Sequence, residues 1–180
     1  MQAVWGDPAL LWALRLLLAG VFGAAALSKL RSLDAFEGVV RNYRILPERM
    51  AGGFARVLPV VECGAALGLL FETSAAAAAL VVAALLALFA WAMAWNLVRG
   101  RREIDCGCFI GAFKQRIGWP LVARNLLLAL GALWLAAAEP RRDATELDLF
   151  TAAAAALSLL FAYFAFSELV ERTPARGPES

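Results

Sequence analysis

Long apolar runs separated by polar segments dominate the chain. Five runs reach the length of about 20 residues that a helix needs to cross a bilayer core. They cover residues 8–27, 54–71, 75–98, 120–138 and 147–166. Backbone that faces lipid must satisfy its own hydrogen bonds, so these runs are predicted to be helices. The pattern predicts an all-α, polytopic membrane protein, with a four-helix transmembrane bundle plus a fifth, C-terminal transmembrane helix.

The first connection, residues 28–53, is long and mixed in character. Four of its apolar residues keep helical spacing before Pro47: Leu33, Phe36, Val40 and Tyr43. This spacing predicts a short amphipathic helix that lies at the membrane interface or caps the bundle. Residues 72–74 are predicted to form a tight turn between the second and third spans.

No internal repeat is visible, so residues 1–171 are predicted to form one membrane domain. The N-terminal run has no basic segment ahead of it, and it is expected to be a retained first span rather than a secretion signal. Residues 172–180 are polar and contain proline, and they are predicted to be a disordered tail.

Composition supports a membrane protein and narrows its chemistry. The chain is 62% hydrophobic and 18% charged, with a mean hydropathy of +0.70, against about 45–50% and about 25% in soluble domains. It contains no histidine, which excludes imidazole as a base or ligand. A net charge of +2 gives no argument for nucleic-acid binding. Three cysteines are too few for a disulfide scaffold.

The basic residues are distributed unevenly between the two sides of the predicted bundle. Twelve lie on the side of the first and third connections and the C-terminal tail: Lys29, Arg31, Arg41, Arg44, Arg49, Arg99, Arg101, Arg102, Lys114, Arg116, Arg172 and Arg176. The other side carries only Arg141 and Arg142. The positive-inside rule therefore puts the third connection in the cytoplasm, whereas disulfide chemistry favours the opposite, oxidising side. Both orientations stay open.

The third connection contains the motif "DCGCF", in which Cys106 and Cys108 flank Gly107. A disulfide across one residue closes a small, strained ring, which suits exchange rather than a permanent link. Glycine relaxes the backbone enough for both sulfur atoms to turn the same way. Arg124, about one turn into the next span, favours a thiolate, and Asp105 opposes it. These features predict a redox pair at Cys106 and Cys108.

Metal binding is the rival interpretation of the same cysteines. Two thiolates, with Cys63 as a third ligand, could hold Cu(I) or Zn(II). The usual zinc motifs place at least two residues between paired cysteines, whereas only Gly107 separates this pair. The sequence therefore does not predict a particular metal at this site. Cys63 itself lies inside a predicted span, where it is either a small packing residue or a resolving thiol for the pair.

Five polar side chains are singled out within the predicted spans, where such groups are rare and mostly face a bundle interior. One of them, Arg56, lies near a helix end and can reach the membrane surface. Arg15 and Glu62 differ in depth by about the length of an arginine side chain, which allows an interhelical ion pair. The pair would either join the helices or line a pocket for a quinone or another small redox partner. Arg124 and Asn125 are placed about 6–8 Å below the cysteine motif, the right depth to face it.

The residues resemble the methylamine-utilisation MauE proteins and their DoxX-like relatives. The similarity is carried, in order, by "RLLLAGVFGAAALSKL", "NYRILP", "LPVVECGAALGLL", "DCGCF" and "ARNLLLAL", and it covers roughly residues 10–138. The C-G-C-F element ahead of a helix with an Arg-Asn pair is its most specific part. The family pattern usually reads C-G-C-F-G, whereas here Ile110 intervenes and the glycine follows at Gly111.

The resemblance implies a multi-pass protein of the bacterial inner membrane that takes part in disulfide formation or transfer in exported proteins. It implies a thioredoxin-like partner and an exported, disulfide-rich substrate protein. It also implies an analogy with DsbB and vitamin K epoxide reductase, bundles that pass thiol electrons to a quinone. A quinone is therefore a possible cofactor.

The resulting prediction is a membrane thiol–disulfide exchange protein. Cys106 would attack, or be attacked by, the partner, and Cys108 would resolve the mixed disulfide. Arg124 and Asn125 would stabilise the thiolate. The alternative is a non-enzymatic membrane scaffold or assembly subunit whose cysteines are structural or bind a metal.

Overall fold

The computed structural model describes residues 6–108, 115–140 and 142–172, and only the backbone at residues 167, 168 and 170–172. The predicted disordered tail began at residue 172, which instead ends a helix, and its other residues, 173–180, lie outside the described residues. So does the departure from the family pattern at Ile110 and Gly111.

Six helices follow one another along the described chain: α1 (Pro8–Arg31), α2 (Leu33–Tyr43), α3 (Glu48–Gly68), α4 (Glu72–Val98), α5 (Trp119–Ala137) and α6 (Glu146–Arg172). All except α2 contain a stretch long and apolar enough to cross a membrane. The predicted all-α, polytopic architecture is therefore confirmed. The five candidate spans alternate in direction, so α2 and the connection between α4 and α5 lie at the same end of the bundle.

The short helix α2 is also confirmed, and it ends where the sequence suggests. Its C-terminal neighbour Arg44 adopts a left-handed conformation with φ of 50°, which stops the helix before Pro47. Phe36 and Val40 are buried against an apolar cluster on α3 that includes Ala51, Ala55 and Leu58. Packing on α3, rather than on the membrane interface alone, is what holds α2.

Both predicted boundaries of α3 are wrong, and α1 and α6 continue past their predicted ends to Arg31 and Arg172. The helix α3 begins at Glu48, ahead of the apolar run, because its first turns pack against α2 as well as entering the membrane. The turn between α3 and α4 lies at residues 69–71, not at residues 72–74. Glu72 opens α4, where its negative charge suits a helix N-terminus. The Ser74 hydroxyl donates a hydrogen bond of 2.8 Å back to the carbonyl oxygen of Gly68 and closes the turn.

Small residues let the helices approach closely. The helix α1 packs against both α3 and α6, and α4 packs most extensively against α5. Gly20 of α1 faces Leu160 of α6 so closely that a β-carbon would lie 2.9 Å from a leucine methyl group. The candidate span of α6 is the least buried of the five. It therefore forms the outer side of the bundle.

Candidate functional site

The cysteine loop, residues 99–118 between α4 and α5, is anchored by its own backbone. The Cys106 N–H donates a hydrogen bond of 2.6 Å to the carbonyl oxygen of Gln115, and the Ile117 N–H donates one of 2.9 Å to Ile104. These bonds form an antiparallel bridge between Asp105 and residue 116. Ile104 and Ile117 are buried in an apolar cluster with residues of α4 and α5. The arm that carries the cysteines is thus tied to the bundle.

The helix α2 holds the other face of the cysteine loop. The Tyr43 hydroxyl donates a hydrogen bond of 3.0 Å to the carbonyl oxygen of Cys106. The Arg101 guanidinium donates to the carbonyl oxygens of Asn42 and Tyr43, at 2.7 and 3.3 Å, and to Oδ1 of Asn96 at 2.7 Å. The loop is therefore docked on the C-terminal end of α2.

Gly107 is required by two features of the fold. Its φ is +74°, a conformation that L-amino acids with side chains rarely adopt. A β-carbon there would also lie 2.9 Å from Cγ1 of Val39 in α2. The glycine thus allows both the turn between the cysteines and the close approach of the loop to α2.

Replacing Gly107 by alanine is expected to destabilise the protein more than the same change at Gly100. Gly100 has a φ of +76° but open space around it, so Gly100→Ala measures the backbone cost alone, about 1–2 kcal/mol. Gly107→Ala adds the clash with Val39. Unfolding of the purified variants in detergent measures both losses of free energy. Equal losses would contradict the packing of the loop on α2.

The two cysteines are free thiols whose Sγ atoms lie 2.7 Å apart. A third sulfur is close, because Cys106 Sγ lies 3.8 Å from Sδ of Met93 in α4. On the other side, Nη2 of Arg124 is 4.0 Å from Sγ of Cys108. Both cysteines are half-buried. The pair can close to a disulfide, whose bond length is about 2.0 Å, with little movement.

The surroundings separate the pKa values of the two thiols. The pKa of Cys108 is lowered to about 6, chiefly because the Cys106 thiol donates a hydrogen bond to its thiolate, and further by the charges of Arg124 and Lys29. Burial and the charge of Glu62 oppose this shift. The same hydrogen bond, together with burial and the Cys108 charge, raises the pKa of Cys106 well above its usual value. Cys108 is therefore the thiolate of the pair and Cys106 its protonated donor.

Tyr43 stays a hydrogen-bond donor over the physiological pH range. Burial raises the pKa of its hydroxyl, and the nearby charges of Cys106, Cys108 and Asp105 raise it further. Asp105 was expected to act against the thiolate. Its carboxylate instead helps to keep Tyr43 protonated, and hence keeps the bond from Tyr43 to the loop.

A buried ion pair lies directly beneath the cysteine loop. Nζ of Lys29 in α1 donates to both carboxylate oxygens of Glu62 in α3, at 2.8 and 2.9 Å. A third, longer bond of 3.4 Å reaches the carbonyl oxygen of Cys108. Only 2% and 1% of the two charged side chains is exposed. Lys29 thus joins α1, α3 and the cysteine loop at one point.

The predicted Arg15–Glu62 pair is wrong. Glu62 lies level with Lys29, and Arg15 is almost four turns, about 21 Å, earlier on α1. The Arg15 guanidinium instead lies 5.0 Å from the ring centre of Trp12, and its buried Nε and Nη1 atoms have no hydrogen-bond partner among the described residues. The depths were misjudged because α3 begins ahead of the predicted span, at Glu48, and α1 continues past its predicted end to Arg31.

Arg124 and Asn125 do lie beneath the loop, in different ways. Arg124 contacts Cys108 and also packs its guanidinium 4.6 Å from the ring centre of Tyr163 in α6. Asn125 is 2% exposed and lines a cavity of about 20 Å³ with Cys108 and Glu62. Its Nδ2 has no hydrogen-bond partner in the described part of the chain. The cavity has room for one water molecule.

Cys63 does not join the pair. Adjacent residues of a helix point about 100° apart, so the neighbour of Glu62 is directed away from the ion pair and the loop. Cys63 is absent from the lining of both cavities beside the cysteine pair. Among the described residues, no group of three or more cysteine and carboxylate side chains is arranged to hold a metal ion. Cys63 as a third metal ligand is therefore wrong, and a resolving role for it has no geometric support.

The sequence did not indicate that three residues belong to the site: Lys29, Tyr43 and Met93. Lys29 was counted among the loop cations, Tyr43 was one position of an amphipathic face, and Met93 was one apolar residue of a span. Each belongs to a different helix, and only their meeting at the cysteine loop gives them a role. The sole sequence indication was the lysine that ends the apolar run of α1.

Comparison with known proteins identifies the family. The model of the family "Methylamine utilisation protein MauE" matches residues 7–138. The methylamine utilization protein MauE of Paracoccus versutus is 47% identical over 181 residues, covering 100% of this chain and 97% of the relative. That of Paracoccus denitrificans is 53% identical, covering 74% and 72%, and that of Methylorubrum extorquens is 41% identical, covering 89% and 88%. No solved structure matches the chain. The resemblance to DoxX-like proteins stays a prediction. The match to the family model and the identities to these relatives show that the chain belongs to the MauE family.

Proposed function

We propose that the protein is a thiol–disulfide exchange protein of the bacterial inner membrane, acting in methylamine utilisation through Cys106 and Cys108. It would pass a disulfide, by way of a thioredoxin-like partner, to an exported protein that needs one. The observation that carries the proposal is the separation of the two thiol pKa values at a sulfur–sulfur distance of 2.7 Å. Such a pair suits disulfide exchange because Cys108, with the lower pKa, is a good leaving thiolate, and Cys106, with the higher pKa, takes up a proton when it leaves.

The separation of pKa values assigns a direction to the exchange. A partner thiolate attacks Sγ of Cys106 in the oxidised pair, the disulfide bond breaks, and Cys108 leaves as a thiolate. Arg124 and Lys29 stabilise that charge. The partner's second thiolate then attacks its own sulfur in the mixed disulfide, and Cys106 leaves and takes up a proton. The partner gains a disulfide, and the cysteine pair gains two electrons.

Trapping of a mixed disulfide tests this assignment. In Cys108→Ser, the remaining Cys106 exchanges with an oxidised partner, and Cys108 is no longer present to resolve the product. Acid quenching followed by N-ethylmaleimide blocks the partner's second thiol, which would otherwise reverse the step. We expect a covalent complex that dithiothreitol releases, detected on non-reducing gels and identified by mass spectrometry. The matched control is Cys63→Ser, which keeps the pair and should trap nothing. If Cys108→Ser trapped no thioredoxin-like protein, the proposal would lose its basis.

A second candidate function, a non-enzymatic assembly subunit that binds a soft metal ion, is favoured by one contact. Met93 Sδ lies 3.8 Å from Cys106 Sγ and adds a thioether to the two thiols. The two candidates differ in the state of the thiols. Metal-bound thiols resist alkylation until a chelator is added, whereas a disulfide resists until a reductant is added.

The proposed exchange with exported proteins requires the cysteine loop to lie on the periplasmic side of the membrane. The count of basic residues favours the opposite side. Burial of Lys29 in an ion pair removes one of the twelve cations from that count. A membrane-impermeant maleimide that labels the reduced loop cysteines in intact cells would establish the exported orientation.

A further inference from the structure

An apolar cavity of about 140 Å³ adjoins the cysteine pair. It lies between α2, α3, α4 and the cysteine loop, and Cys106, Gly107 and Cys108 form part of its wall. Five aromatic side chains contribute to the rest: Phe36, Tyr43, Phe54, Phe89 and Trp91. An engineered apolar cavity of about 150 Å³ admits a benzene ring. The cavity is therefore large enough for one six-membered ring, with aromatic faces available for stacking.

The cavity reaches the lipid-facing surface of the bundle. Two of its lining residues, Leu88 and Trp91 on α4, are 41% and 50% exposed. A ligand can thus enter from the bilayer without crossing water. A polypeptide segment is a poor occupant, because the apolar wall leaves its backbone N–H and C=O groups without partners. The occupant that the surface favours is an apolar molecule dissolved in the membrane.

The few polar groups of the cavity lie at the end nearest the cysteines. Tyr43 and Lys29 line it together with the pair. Lys29 makes two short bonds to Glu62, and its third, of 3.4 Å to the carbonyl oxygen of Cys108, is the one that a ligand oxygen can replace. A ring that carries a carbonyl oxygen would therefore orient that oxygen towards the thiols.

We propose that this cavity binds the ring of a membrane-soluble quinone, which is the electron acceptor of the cysteine pair. The inference rests on the proposed exchange function, which leaves the pair reduced after each transfer. In the overall step the Cys108 thiolate and the Cys106 thiol form one S–S bond, the S–H bond of Cys106 breaks, and two electrons pass to the quinone. The quinone takes up the Cys106 proton and a second proton from water. The products are the Cys106–Cys108 disulfide and a hydroquinone.

Photolabelling tests the site without relying on activity. The probe is an azido-benzoquinone with a short alkyl chain, applied to the purified protein in lipid nanodiscs and competed with the unlabelled quinone. We expect saturable labelling of cavity residues on α2, α3 and α4. Ala92→Trp fills the cavity from α4 and should weaken binding by about tenfold or more. The matched control is Ala84→Trp, on the same helix but exposed and away from the cavity. Non-saturable labelling spread over the lipid-facing surface would overturn the site.

A second measurement separates this inference from the proposed function. The reduced protein is mixed with the quinone, and free thiols are counted over time. Oxidation that requires both Cys106 and Cys108, and that slows in Ala92→Trp, supports the inference. Quinone that labels the cavity but leaves the thiols reduced would overturn the role as acceptor. If Cys108→Ser still traps the partner in that case, the exchange function stands without the quinone.

Discussion

Alkylation of Cys108 is expected to follow a titration with a midpoint near pH 6, three units below an ordinary thiol. Only the thiolate reacts, so the rate rises as pH increases through the pKa and then reaches a plateau. At pH 7 about nine-tenths of Cys108 would be thiolate, against about one-hundredth for a thiol with the ordinary pKa of 9.0. Cys106, whose pKa is raised, should stay unreactive over the same range. Short pulses of iodoacetamide followed by peptide mass spectrometry measure the two cysteines separately.

Two variants identify the cause of the low midpoint. Cys106→Ala removes the hydrogen bond that contributes most, and should move the Cys108 midpoint furthest upwards. Arg124→Leu removes a nearby positive charge and should move it upwards by less. Arg99→Leu removes a charge from the same end of the bundle that does not act on Cys108, and should leave the midpoint unchanged. A midpoint near 9 in the unmodified protein would refute the assignment of Cys108 as the thiolate.

Loss of Lys29 is expected to destabilise the protein strongly. Lys29→Met leaves the buried Glu62 carboxylate without its partner, a change that typically costs about 3–5 kcal/mol. The double variant Lys29→Met/Glu62→Leu removes both charges and should recover most of the loss. Titration of the purified variants with denaturing detergent measures the free energies of unfolding.

The double variant separates stability from function. It lacks the bond from Lys29 to the carbonyl oxygen of Cys108 and one of the charges that stabilise the thiolate. It also lacks the Glu62 charge, which raises the pKa of Cys108 by less than the Lys29 charge lowers it. The midpoint of Cys108 alkylation should therefore lie slightly above that of the unchanged protein and below that of Lys29→Met, although the fold has recovered. The control is Arg15→Met, because Arg15 makes no ion pair with Glu62 and its loss should cost far less. A larger loss of unfolding free energy for Arg15→Met than for Lys29→Met would indicate that Arg15, and not Lys29, pairs with Glu62.

The fold followed from local sequence more closely than the site did. Each span is a predominantly apolar run, and the bilayer imposes both its helical form and its length. The helix α2 was predictable because its apolar residues repeat on one face, and Pro47 prevents its continuation. The boundary errors at α3 fall where a helix continues out of the apolar run to pack on a neighbour.

The site was predictable only where its residues are close in the chain. Cys106, Gly107 and Cys108 form one motif, and Arg124 lies one helical turn into the span that follows it. Lys29, Glu62 and Tyr43 reach the same point from α1, α3 and α2. Residue types and depths were compatible with several pairings, and the choice between Arg15 and Lys29 depended on how far each helix extends beyond the membrane.

The sequence by itself determined the five spans, the helix α2 and the presence of a glycine-hinged thiol pair, because apolar length, helical periodicity and the C-G-C spacing are local properties. The tertiary structure decided which cysteine is the thiolate, which cation pairs with Glu62, and where a cavity adjoins the thiols. Those properties depend on distances between side chains from different helices. Electrostatic interactions and packing act over a few ångströms in space, and separation along the chain does not report such distances.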